Sequence, residues 1–247
     1  MPIDLNADVG EERGDDAALL ALVTSCNIAC GAHAGDAATM QRTVELALRL
    51  GVKLGAHPGY ADRANFGRVV VPLSSAEITA LVSEQIAALA AIAARAGATL
   101  HHVKPHGALY NLAARDQPTA SAIAQVVAQF NQRLVLVGLA DSALTAAGEN
   151  AGLRVFHEAF VDRAYEADGT LRSRNLLGAV LVDRAQALAQ ALAFATHQPI
   201  TSYNGTPLHI RADTLCIHGD TPHAVAFARA VRDKLSMIND QRSKEPF

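Results

Sequence analysis

Tryptophan is absent from this chain of 247 residues, aromatic residues make up only 4 %, and there are three cysteines. Three cysteines do not form a disulfide framework, so packing must hold the fold together. A reducing cytoplasm is the natural compartment. A basic excess is missing too: the formal net charge is -3. Nucleic acid, which calls for a basic surface, is therefore not an expected partner. No uninterrupted apolar run reaches the length of a membrane span, so no membrane partner is expected. The start, Met1-Pro2-Ile3-Asp4, has no basic region and does not read as a signal peptide. There is no Walker A pattern, and the turn Gly10-Glu11-Glu12 is not a G-x-G-x-x-G loop. These absences weaken a nucleotide-binding open sheet. Neither a repeat nor a linker divides the chain. Residues 1–247 read as a single domain, with a frayed tail over 240–247.

What is present is apolar: about half of the residues, enough for a substantial core. Alanine is abundant, which favours closely packed helices. Ile3, Leu5 and Ala7 alternate with Asp4, Asn6 and Asp8, the period of a strand with one polar face. Asn27 to Asp36 reads as the end of a buried strand, a tight turn at Gly31, and the N-cap of a helix over 37–50 closed by Gly51. Further strands are expected over 52–56, 99–104, 134–137, 153–156, 208–210 and 214–217. Ser74 and Glu77 form a capping-box pattern for a helix to about Ala96. Helices are also expected over 118–130, up to Asn150, over 179–195, and from Thr221-Pro222 to about Met237. About seven strand–helix alternations imply a parallel sheet. Without a phosphate-binding loop, a barrel is favoured, with function at the strands' C-terminal ends.

Polar residues gather at those ends: Asp8, His33 with Asp36, His57, Lys104 with His106, Glu158, and His218 with Asp220. Asp8, His33 and His57 offer one carboxylate and two imidazoles from successive units, a set suited to a divalent transition metal. The alternative is a metal-free pocket that binds an anion through the imidazoles, with Asp8 as base or orienter. Lys104 follows an apolar strand and shares a strand face with His102. It is costly there unless paired or used. It either stabilises developing negative charge or forms an ion pair with Asp4 or Asp8. Cys26, Cys30 and Cys216 read as small core fillers. Residues 162–174, with Arg163, Tyr165, Arg172 and Arg174, exceed an ordinary loop. They form a lid, a partner surface or a solvated loop. Phe66, Tyr110 and Phe160 are pocket walls or core.

Seven segments carry a resemblance: D-L-N-A-D-V-G-E at 4–11, N-I-A-C-G-A-H-A-G-D at 27–36, G-A-H-P-G-Y at 55–60, F-G-R at 66–68, H-V-K-P-H-G-A-L-Y at 102–110, D-R-A-Y at 162–165 and A-D-T-L-C-I-H-G-D at 212–220. Through them the sequence resembles the LamB/YcsF family, the A component of the prokaryotic ATP-dependent 5-oxoprolinase, over essentially its whole length. Small departures fall at 10–14, Ala32 and Gly59, and leave the charged groups intact. The resemblance implies a seven-stranded, TIM-like β/α barrel of the glycoside hydrolase/deacetylase type. It implies conversion of 5-oxo-L-proline to L-glutamate with ATP hydrolysis, and subunits B and C as partners. A homo-oligomer is left open. In that setting Asp8 with His33 or His57 activates water, and Lys104 stabilises the phosphoryl or carbonyl oxygen. His106 or His218 protonates the leaving nitrogen, with Glu158 or Asp220 orienting it. Asn6, Arg68, Lys104 and Arg163 are the expected contacts to ATP, unless the partner subunits bind most of it. The rival readings are a metal-dependent amide or polysaccharide deacetylase and a non-catalytic substrate-binding component.

Overall fold

The computed structural model describes residues 3–217 and 224–242. In chain order the elements are β1 (Asp4–Val9), α1 (Asp16–Leu20), β2 (Ser25–Ala29), α2 (Ala37–Arg49), β3 (Lys53–His57) and α3 (Ser75–Arg95). Next come β4 (His102–Val103), α4 (Gly107–Ala113), α5 (Gln117–Phe130), β5 (Val135–Leu139), α6 (Ala143–Asn150) and β6 (Arg154–Phe160). The chain continues with α7 (Arg184–Ala195), β7 (Ile200–Thr201), β8 (Pro207–Leu208), β9 (Thr214–Ile217) and α8 (Ala224–Arg242). Strands β1 to β6 and β9 close a seven-stranded parallel barrel, and β7 and β8 form a separate antiparallel pair. Closure comes from β9, which pairs with β1 on one side and β6 on the other.

The alternation in β1 sorts the two faces. Leu5, Ala7 and Val9 are buried in the apolar core. Asp4, Asn6 and Asp8 share the other face and bond to Thr214 on the adjacent β9 and to Lys104 just after β4, so that face is the interior. The register puts Asp8 beside Asn27, and Gly55 beside both Asn27 and His102. The interior is therefore polar where β1 to β4 meet. Helices cover the apolar outer face, as βα crossovers require.

Local signals placed most helices correctly. The Asp36 carboxylate accepts from the Thr39 amide at 2.7 Å and starts α2. Ser74 and Glu77 complete a capping box at α3. By length and composition α3 could cross a membrane. Here it buries Ile78, Val82, Ile86, Leu89 and Ile92 in the barrel's core, as an outer helix should.

Some expectations shift. Helix α4 was not foreseen: Gly107, at φ +54°, starts it directly after the His106 turn. Barrel strand β4 covers only 102–103 of the expected 99–104, and Pro105 and the start of α4 follow its C-terminal end. Helix α7 starts at Arg184, capped by Asp183, since 179–182 belong to the preceding excursion. The expected strand at 208–210 is instead Pro207–Leu208, paired with β7. Helix α8 runs to Arg242, into the expected tail. The expected helix start at Thr221-Pro222 and the rest of the tail lie outside the described residues.

Candidate active site

At the C-terminal mouth of the barrel lies a cavity of about 780 Å³. Asp8, Glu11, His57, Lys104, His106, Tyr110 and Phe160 are on its inner wall, and Arg13, Arg68, Arg115, Arg163, Arg172 and Arg174 also line it. A negatively charged floor is thus surrounded by guanidinium groups. That arrangement favours ligands carrying carboxylate or phosphate.

Lys104 sits at the centre of the floor and is 2 % exposed. Its Nζ lies 2.8 Å from Glu158 Oε1 and 3.0 Å from Asp8 Oδ1. It also approaches Asn6 Oδ1 at 3.3 Å and Cys216 Sγ at 3.2 Å. Burial alone would lower its pKa, but the carboxylates, Asp8 first, hold the ammonium well above its ordinary value. Burial likewise pushes the Cys216 thiol well up, so Lys104 faces a neutral sulfur. Cys216, read as a core filler, therefore also lines the lysine's seat. Asp4 is no partner for Lys104: it accepts from Thr24, Ser25 and Thr214 lower in the barrel.

A hydrogen-bond chain fixes this floor. His102 Nε2 meets Asn27 Oδ1 at 2.7 Å. Asn27 Nδ2 donates to Asp8 Oδ1 and to Asn6 Oδ1, both at 2.8 Å. Asn6 Nδ2 donates to Thr214 Oγ1 at 2.7 Å and Glu158 Oε1 at 3.0 Å. Each amide end then has only one compatible assignment. Asp8 Oδ1 is saturated by Asn27 and Lys104, whereas Oδ2 faces His57 Nε2 at 3.4 Å. Gly55 leaves room for this chain: a Cβ there would lie 2.0 Å from His102 Nε2.

Beside the floor, His33, His57 and His106 converge with Glu11. His57 Nδ1 is 2.8 Å from the Lys104 carbonyl, and His106 Nε2 is 2.9 Å from the Phe66 carbonyl. A carbonyl only accepts, so both nitrogens carry hydrogen. The other two nitrogens, His57 Nε2 and His106 Nδ1, then face each other at 3.0 Å. Burial, and then the neighbouring His57 and His33, push the His106 pKa well down. Burial also lowers His33. For His57 burial pulls the same way, but Asp8 outweighs it and raises the pKa. The loop that aims Phe66 at His106 takes left-handed backbone at Phe66 and Gly67, φ +55° and +60°. Arg63 ties it to the His33 turn by donating to the Gly31 and Gly35 carbonyls at 2.9 and 2.7 Å. At Gly67 a Cβ would lie 2.9 Å from His33 Cβ and 3.0 Å from His106 Cδ2.

A family model described as LamB/YcsF matches residues 3–244. The chain belongs to the LamB/YcsF family. Its relatives include a Chloroflexus aggregans protein named as the A component of 5-oxoprolinase, 53 % identical over 240 residues, with 95 % of each chain covered. A Brevibacillus brevis protein of the same name is 47 % identical, with 95 % of this chain and 94 % of that one covered. The crystal structure of a lactam utilization protein from Thermus thermophilus superposes with a TM-score of 0.90. It is 43 % identical, and the match covers 97 % of this chain and 98 % of that one.

Within this LamB/YcsF fold, Asp8, His33, His57, Lys104, His106 and Glu158 come together at the mouth. His218 and Asp220 lie outside the described residues. Asp36 stands apart as a helix cap. Two expected ATP contacts have other tasks. Asn6 is 2 % exposed, off the cavity wall, and bonded at both ends of its amide. Arg163 does line the cavity, but its Nε and Nη2 donate to the Ala179 and Arg172 carbonyls. These bonds, with bridges Arg163–Val180 and Tyr165–Leu171, make the 162–174 excursion a folded wall rather than a solvated loop. Arg68 remains on the cavity wall, stacked at 4.9 Å over Phe66. Glu158 contacts Lys104 instead of orienting a histidine. The metal-type cluster also differs from the expected Asp8–His33–His57 set: Glu11 and His106 take part, while Asp8 Oδ1 is engaged by Lys104 and Asn27 and Oδ2 faces His57. Glu11 and Asn27 were missed. The signals were faint: an acidic residue just after Gly10, and one polar residue in an otherwise small and apolar strand.

Proposed function

We propose that this chain acts as the A component of an ATP-dependent 5-oxoprolinase, opening 5-oxo-L-proline to L-glutamate together with subunits B and C. The observation that carries the reading is the pairing of Lys104 with Asp8 at the bottom of the arginine-lined cavity. The names of the relatives give the substrate class. Buried free thiols suit a cytoplasmic setting.

A lactam resists water because amide resonance reduces its electrophilicity. Transfer of the ATP γ-phosphoryl group to the lactam oxygen, with departure of ADP, makes an activated imidate-like ring. Water then bonds to that carbon, and Asp8 Oδ2, whose partner oxygen is saturated, takes its proton. Lys104 lies beside the forming oxyanion and phosphoryl oxygens and stabilises their charge. Breaking the ring C–N bond yields γ-glutamyl phosphate, and Asp8 returns the proton to the departing nitrogen. A second water releases phosphate and leaves glutamate. The sum is lactam, ATP and two waters to glutamate, ADP and phosphate. His106 is unsuited as the proton donor, since its one N–H is committed to the Phe66 carbonyl. Arg68 and the neighbouring cavity arginines hold the substrate carboxylate and the phosphates.

Reconstitution tests the reading. Glutamate and phosphate should form from 5-oxoproline and ATP only when this chain is combined with subunits B and C. Equal formation by B and C alone would refute it.

A further inference from the structure

The floor described above uses Asp8, Lys104 and Glu158, and leaves the neighbouring histidines without a task. We propose that Glu11, His57, His106 and His33 form a binding site for a divalent transition-metal ion of the zinc class. The inference does not depend on the lactam reading, because it rests on unsatisfied buried atoms.

When both rings are neutral, His57 Nε2 and His106 Nδ1 are lone pairs, since the opposite nitrogen of each ring donates to a backbone carbonyl. Two such acceptors at 3.0 Å repel unless a cation lies between them. One added proton, on His57 Nε2, would serve His106 Nδ1 and Asp8 Oδ2 but neither Glu11 nor His33. It would leave Glu11 Oε1 and both nitrogens of His33 buried without a hydrogen-bond partner. Buried polar atoms of that kind are uncommon and costly. A metal ion between Glu11, His57 and His106 satisfies those three together, and His33 joins them once its ring tilts. Glu11 Oε1 lies 3.4 Å from His106 Nδ1, 3.5 Å from His33 Nε2 and 3.9 Å from His57 Nε2. Ligands at about 2.0–2.1 Å from tetrahedral zinc stand about 3.3–3.4 Å apart, close to this spacing.

The surroundings agree. The carbonyl of Lys104 and that of Phe66 fix the tautomers and ring orientations, the usual outer support of metal-binding histidines. His33 stacks on His106 at 3.8 Å and 3°. Parallel rings cannot both aim at one ion, so His33 must tilt off the stack to complete the set. His57, His106 and Glu11 are thus the core ligands.

The test uses the full chain, stripped with a chelator, dialysed, and titrated with Zn²⁺ or Co²⁺. About one Zn²⁺ per chain should survive gel filtration, and Co²⁺ should give the strong visible absorption of a four-coordinate nitrogen–oxygen site. Glu11→Gln and His106→Gln should each weaken Zn²⁺ binding at least about tenfold. Arg95→Gln, exposed in the last turn of α3 and off the cavity wall, should bind normally. No retained Zn²⁺ and a featureless Co²⁺ spectrum on the wild-type chain would overturn the proposal without recourse to any variant. Unchanged affinity in both Glu11→Gln and His106→Gln would overturn it as well. Glutamate formation by a chain that binds no metal would discard this site and leave the lactam reading standing.

Discussion

Replacing Lys104 with methionine removes the one ammonium from the barrel floor and keeps most of the side-chain volume. Asp8 and Glu158 then face each other without the cation that both contact, at 3.0 and 2.8 Å in the native chain. Breaking a buried ion pair from one side typically costs about 3–5 kcal/mol. Asp8 keeps its Asn27 donor and Glu158 keeps Asn6, so the lower end, about 3 kcal/mol, is expected here. For a domain of this size that corresponds to a fall in Tm of about 6–12 °C. Urea unfolding followed by circular dichroism would measure it. The double variant Lys104→Met/Glu158→Gln neutralises both sides and should regain about half or more of the loss, while catalysis remains lost. A single variant within about 0.5 kcal/mol of wild type, well below that cost, would refute the buried triad. So would a double variant less stable than the single.

Two further predictions concern the network below the site. Burial pushes His102 down to about 3 from an ordinary value of 6.5. The unfolded chain therefore takes up a proton below about pH 6.5 that the folded chain refuses until about pH 3. This contribution to stability is intact above that window and is lost as pH falls through it, by up to about 1.4 kcal/mol per pH unit. His102→Gln should flatten that part of the stability–pH curve, and an unchanged slope would show that His102 does not cause it. Gly55→Ala places a Cβ where His102 Nε2 sits, at 2.0 Å. It should destabilise by about 1–3 kcal/mol and lower turnover by displacing the Asn27–Asp8 contact; wild-type stability and turnover would contradict the hydrogen-bond chain.

The barrel was legible because its signals are local. Capping residues Asp36 and Ser74, and glycines after the helices, mark element ends without reference to distant contacts. The polar alternation Asp4-Asn6-Asp8 announced an unusual strand face, which closure turned into the interior. Which polar groups meet was harder to read. His57 and His106 were candidates for different tasks, yet a 49-residue separation closes to 3.0 Å. The partner of each carboxylate depends on barrel register, which no local pattern encodes. That is why Asp8 was assigned to the metal set and Glu11 was overlooked. The second task of Arg163 was hidden for a related reason: its clamp on Arg172 and Ala179 exists only once the excursion folds back. Helix α4 was hidden because it follows the His106-Gly107 turn without a side-chain cap.

The central claim is that the Asp8–Lys104 floor opens the lactam. Its most direct test is glutamate formation from 5-oxoproline and ATP by the complex reconstituted with the Asp8→Asn variant. Asparagine can still accept from Asn27 and Lys104 but cannot take a proton from water. Turnover should fall by about 10²-fold or more, with the complex assembled and Tm close to wild type. Turnover at the wild-type rate would contradict the account.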